Sequence, residues 1–107
     1  MGISLQLEHE PIDKEIADSL ISATPEWWKS AVLQIEYSFE DGIEGLAHEI
    51  ISPEGFKDIV EPTEDLYSAT LRLVDVFKRR GHVWRKAGYT VTQLPNGGWK
   101  YTVKFDY

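Results

Sequence analysis

Histidines and carboxylates are the side chains of this sequence best able to do chemistry. An imidazole titrates near neutral pH and can serve as acid, base or metal ligand. The three histidines, His9, His48 and His82, lie far apart in a chain of 107 residues. No HExxH, CxxC or carboxylate–histidine spacing accompanies them, so no metal site is expected. The chain has no cysteine, which excludes a thiolate site and a disulfide framework. Asn96-Gly97-Gly98 is rich in glycine but joins two strand-like runs and opens no helix, so it is no phosphate loop. A GxSxG elbow is absent as well. No cofactor is expected. Glu36 and Glu49 could form a carboxylate pair, but they fall on an outward sheet face, where a solvated acidic surface is the stronger reading. His48 falls on an inward face with Tyr37 and Tyr89. Those three residues would centre the alternative reading, a small-molecule-binding or enzymatic domain.

Charge is unevenly spread. The net charge of −7 divides into sixteen acidic and three basic residues over 1–65, against two acidic and eight basic over 66–107. A dipolar soluble protein is one consequence, and a one-sided acidic surface that recruits a basic partner is the sharper one. An acidic total argues against nucleic acid as the direct ligand. Lys78-Arg79-Arg80, followed by Trp84-Arg85-Lys86, would be the place to look for such binding, but helix-end electrostatics explains most of it. Trp27, Trp28 and Trp84 lie at element ends, where an indole packs over the sheet or anchors a partner. The N-terminus lacks a signal pattern and no apolar run reaches membrane-spanning length, so the expectation is a cytoplasmic protein without a membrane partner.

Four elements and their turns must position these groups. Residues 99–107 alternate without interruption, odd positions being aromatic or Val. The run 87–93 pairs with them coherently if Pro95-Asn96-Gly97 forms a three-residue loop with Gly97 in the left-handed bulge position. Val91 then faces Tyr101, Tyr89 faces Val103, Ala87 faces Phe105 and Lys86 meets Asp106. A second alternating strand, 31–39, turns at Asp41-Gly42 through a type I′ turn. Leu33 then faces Ile50, Ile35 faces His48 and Tyr37 faces Leu46, with Gln34 against Glu49 and Glu36 against Ala47 on the other side. Residues 3–8 read as a short strand or a tail. A first helix is expected over 11–23, with Pro11 at its first position, Asp13 and Glu15 near its positive end, and Ile12, Ile16 and Leu20 as its apolar stripe. Residues 52–63 form a connector pinned by Phe56 and Ile59. Thr63 caps a second helix whose stripe is Leu66, Thr70, Leu73 and Phe77, widened by Tyr67 and Val74, and Gly81 ends it. The fold class is α+β: one domain spanning 1–107, an antiparallel sheet of two hairpins with two helices on one face, in the order α-β-β-α-β-β. Strand order is left open.

The order of elements, Trp84 after the second helix, and the ending Gly98-Trp99-Lys100-Tyr101-Thr102-Val103-Lys104-Phe105-Asp106-Tyr107 resemble the YezG-like family of immunity proteins, or antitoxins. Glu49-Ile50-Ile51-Ser52-Pro53-Glu54 is similar to that family's segment after its first hairpin. The resemblance is loose over most of the chain and better over 63–107. It implies a non-enzymatic cytoplasmic protein made beside a polymorphic bacterial toxin, often a nuclease delivered by contact-dependent systems, whose C-terminal toxin domain it binds and neutralises. An acidic surface suits that role, because a toxin acting on nucleic acid presents a basic active site. The contact surface expected on this ground is Glu36, Glu40, Asp41, Glu44 and Glu49 on the first hairpin, with Glu54, Asp58 and Glu61 on the connector.

Overall fold

The computed structural model describes residues 5–107, and side chains from Leu7 onward. Its elements are α1 (Leu5–Ala23), β1 (Ser30–Glu40), β2 (Ile43–Ile51), α2 (Glu64–Arg79), β3 (Lys86–Gln93) and β4 (Trp99–Asp106). The strands form one antiparallel sheet in the order β2-β1-β3-β4. Both expected registers are present: Leu33 pairs with Ile50 and Ile35 with His48, while Val91 pairs with Tyr101 and Ala87 with Phe105. The two hairpins join through their inner strands, so that Leu33 pairs with Tyr89 and Glu36 with Lys86.

Turn chemistry explains the registers. Asp41 and Gly42 both have positive φ, 51° and 77°, as a type I′ turn requires. In the second hairpin the Gly97 amide donates to the Leu94 carbonyl at 2.9 Å, Gly97 takes φ 87°, and the Leu94 amide donates to Gly98 at 2.7 Å. This is the expected type I turn with a glycine bulge. Each register sends one parity of residues inward, so Ala31, Leu33, Ile35, Ala87, Tyr89 and Val91 are all buried beneath the helices.

The helices complete this core with Ile16, Ala17 and Leu20 from α1 and Leu66, Ala69, Leu73, Val74 and Phe77 from α2. The Thr63 side chain accepts the Leu66 amide at 3.2 Å, and Gly81 follows the helix with φ 90°. Tyr67 does not widen the stripe. It is 43% exposed, and Ala69 and Val76 are buried instead.

The start of α1 differs from expectation. Leu5–Glu8 is helical rather than a strand or tail, while Ile3 and Ser4 lie outside the described residues. Pro11 therefore sits inside the helix, not at its first position. A proline there removes one backbone hydrogen bond. Tertiary contacts upstream of it offset that loss: Glu8 pairs with Arg80, and the His9 ring packs on Phe77 and Phe105 at 5.4 and 5.3 Å between centroids. At its other end α1 stops where Thr24 donates to the Leu20 carbonyl through both its amide and its hydroxyl, just before Pro25.

The connector is held differently too. Ile59 is 89% exposed and pins nothing. Phe56 does stack on Trp28, with centroids 6.3 Å apart, and Val60 packs against the core. No described helix is long and apolar enough to cross a membrane.

Candidate functional site

With both helices on the inner side, the outer face of the sheet stays open. Even-numbered residues of β1, β3 and β4 and odd-numbered residues of β2 point there. One row across the sheet reads Ala47, Glu36, Lys86, Asp106, and the next reads Glu49, Gln34, Gly88, Lys104. A depression of about 400 Å³ lies over the middle of these rows, bounded by Gln34, Glu36, Glu49, Lys86 and Asp106. Gly88 and Ala47 form its low points, because neither raises a long side chain. Among the described residues, Glu36, Glu49, Lys86 and Asp106 make no ion pair within 4 Å.

The eight expected contact acids divide into two groups. Glu36, Glu40, Asp41 and Glu49 are exposed on the first hairpin and Glu61 on the connector, and none forms an ion pair among the described residues. Glu44, Glu54 and Asp58 are engaged within the chain. Glu44 pairs with Phe39 in the ladder and so has inward parity. It reaches Lys78 at the end of α2 and accepts the Tyr37 hydroxyl at 2.8 Å. Those two bonds, Lys78's first, hold its carboxyl below the usual range. Glu54 accepts the amides of Lys29 and Ser30 at 2.6 and 3.1 Å, which anchors the start of β1. Asp58 accepts both indole N–H groups, from Trp27 at 3.0 Å and Trp28 at 3.1 Å, and its carboxyl is lowered by these bonds. Three acids on the helical side are paired as well: Glu15 with Arg72, Asp18 with Lys14, and Asp75 with Arg79.

His48, Tyr37 and Tyr89 turn to three separate partners. Thr70 donates its hydroxyl proton to the Leu66 carbonyl at 2.9 Å, so His48 Nε2–H donates to Thr70 Oγ1 at 3.1 Å. Among the described residues His48 Nδ1 is buried without a partner, and burial lowers the imidazole pKa, which favours the neutral ring. Its ring stands edge-to-face with that of Tyr67, the centroids 4.4 Å apart. Tyr37 goes to Glu44 and Tyr89 to Asp13. Trp84 is fully buried, as is Trp28, so neither offers a stacking surface, whereas Trp27 is 57% exposed.

One polar centre is missing from the sequence reading. His9 Nδ1 donates to Asp13 Oδ2 at 2.6 Å, and the Tyr89 hydroxyl donates to Asp13 Oδ1 at 2.6 Å. Asp13 is only 1% exposed. Residues 9 and 13 are one helical turn apart, so a carboxylate–histidine spacing does exist in the chain. It was hidden because a helix starting at 11 leaves His9 outside, and because Asp13 reads as a first-turn acid. Burial raises the Asp13 pKa, and the bonds from Tyr89 and His9 act against that rise. The trio bonds α1 to β3 across the core. A groove between α1 and β4 runs beside it, lined in part by Glu10, Tyr101 and Tyr107. Among the described residues no group of three His, Cys, Asp or Glu side chains is placed to hold a metal ion.

No family model matches this chain, and no curated protein matches it, so the geometry of the open sheet face has to carry the functional reading.

Proposed function

We propose that this chain is an immunity protein, which binds a basic toxin domain of nuclease type one-to-one and blocks it without turnover. The observation that carries this reading is the contrast in how acids are used. Glu44, Glu54 and Asp58 are bound within the chain and Glu8, Glu15, Asp18 and Asp75 pair with cations of the helical side, while among the described residues Glu36, Glu40 and Glu49 on the open sheet face and Asp41 at its turn form no ion pair. Carboxylates that stabilise nothing inside the fold are available to steer and seat a basic surface. The resemblance of residues 63–107 to the YezG-like immunity proteins points the same way.

The test is co-expression with the C-terminal toxin domain encoded beside this gene. A stable one-to-one complex in which the toxin is silent supports the reading. A chain that elutes alone while the toxin still kills refutes it. Charge reversal in E36K/E40K/E49K should slow association by at least about tenfold and flatten its salt dependence. An unchanged association rate would exclude the first hairpin as the interface.

A further inference from the structure

Gly88 is the residue of the open face that local structure does not explain. Glycine inside a strand costs conformational entropy and leaves nothing to pack, and it usually marks a bulge, a tight bend or the close approach of another group. None of the internal reasons applies. Gly88 pairs in regular register with Gln34 on one side and Lys104 on the other, so it is no bulge. Its φ lies outside the left-handed region, and a Cβ built on it meets nothing within 4 Å. Its effect on this face is to leave a hollow.

The walls of the hollow state its chemistry. Glu36, Glu49 and Asp106 contribute three carboxylates, Lys86 one ammonium and Gln34 one amide. Lys86 stands opposite Glu36 on one neighbouring strand and Asp106 on the other, so one cation is set between two anions. Glu49 has no cationic neighbour in its row until Lys104, two strands beyond Gln34. The lining is therefore negative overall, and its floor is bare backbone at Gly88, whose cross-strand neighbours are Gln34 and Lys104. Its volume, about 400 Å³, is within the range of sites that hold small groups. Glu36 and Glu49 stand diagonally on adjacent strands, a relation that separates residues by about 7–8 Å and their Cβ atoms by somewhat less.

We propose that this hollow receives an arginine side chain of a protein partner, its guanidinium lying over Gly88 beside Gln34 and donating to Glu36, with Glu49 adding negative charge from the far side of Gln34. A guanidinium is planar and weakly hydrated, and its forked donors match carboxylates. An ammonium is a compact, strongly hydrated point charge that makes no use of the flat floor. The proposal deepens the immunity reading by naming the group that the acidic face recognises.

The test needs no toxin. The ¹⁵N-labelled chain is titrated with acetyl-Arg-Arg-Arg-amide and, separately, acetyl-Lys-Lys-Lys-amide, and amide shifts are followed. The expected result is saturable shifts centred on Gln34, Glu36, Glu49 and Gly88, with the arginine peptide binding at least about threefold tighter. G88L fills the hollow and should weaken the arginine peptide at least about tenfold, with an unchanged or higher melting temperature. E36Q/E49Q, which breaks no ion pair among the described residues, should do the same. Shifts spread equally over Asp41 and Glu61 and indifferent to G88L would reduce the effect to general attraction and overturn the proposal. So would inorganic phosphate shifting the same amides, which would make Lys86 an anion site, or self-association that G88L abolishes. Because the probe is a peptide, failure here leaves toxin co-purification to be judged alone, and failure of co-purification leaves this titration interpretable.

Discussion

Replacing Tyr89 by Phe removes one hydroxyl and keeps the ring that packs between the helices and the sheet. The hydroxyl is fully buried and lies 2.6 Å from Asp13 Oδ1, whose residue is 1% exposed, so water has no direct way to replace it. A hydrogen bond to a charged group contributes about 1.5–3 kcal/mol, against about 1 kcal/mol for a neutral pair. The expected loss in Y89F at pH 7.5 is therefore about 2 kcal/mol, a large share of the roughly 5–15 kcal/mol typical of a domain. The pH dependence follows from Asp13. Burial raises its folded-state pKa above the ordinary 3.8, so the folded chain holds that proton more tightly than the unfolded chain. Stability attached to this group falls as pH rises from the unfolded toward the folded pKa, and the cost of the buried carboxylate is complete above the latter. The Tyr89 bond lowers the Asp13 pKa, so Y89F moves the folded value further up. The loss in Y89F should accordingly shrink toward about 1 kcal/mol as pH is lowered and Asp13 is protonated. Urea denaturation followed by circular dichroism at several pH values measures this. A loss below about 0.5 kcal/mol at pH 7.5, or one that grows on acidification, would refute the assignment of Asp13 as a buried acceptor held by Tyr89.

Three further outcomes follow from the connector and the turns. D58A should free both indoles and the connector, read as a shift in tryptophan emission and faster proteolysis near residues 53–61 with the core intact. Because the Asp58 carboxyl is lowered by those N–H bonds, its contribution is present above the ordinary value of 3.8 and disappears as pH falls through the folded pKa, so the same emission shift should appear on acidification of the parent chain. G97A forces an L side chain into φ 87° and should cost about 1 kcal/mol, measured by urea denaturation, while leaving the register of the second hairpin unchanged.

Both hairpin registers, the type I′ turn at Asp41-Gly42, the bulge at Gly97 and the cap at Thr63 are legible in the sequence, because each depends on neighbours within a few residues and on which face becomes apolar. The division of the chain into two helices and two hairpins follows from the same local periodicities. What the sequence could not determine is what depends on residues far apart. The strand order β2-β1-β3-β4 sets Gly88 beside Gln34 and thereby makes the hollow, a juxtaposition of residues that alternation alone leaves free. Helical structure from Leu5 to Glu10 rests on Arg80, Phe77 and Phe105, which local propensity cannot see across an internal proline. The sequence also shows eight acids of equal standing. Only the tertiary structure separates Glu44, Glu54 and Asp58, which hold Lys78, the start of β1 and two indoles, from Glu36, Glu40, Asp41, Glu49 and Glu61. A carboxylate's partner is decided by what folding brings within a few ångströms of it, and charge counted along the chain carries no record of that distance.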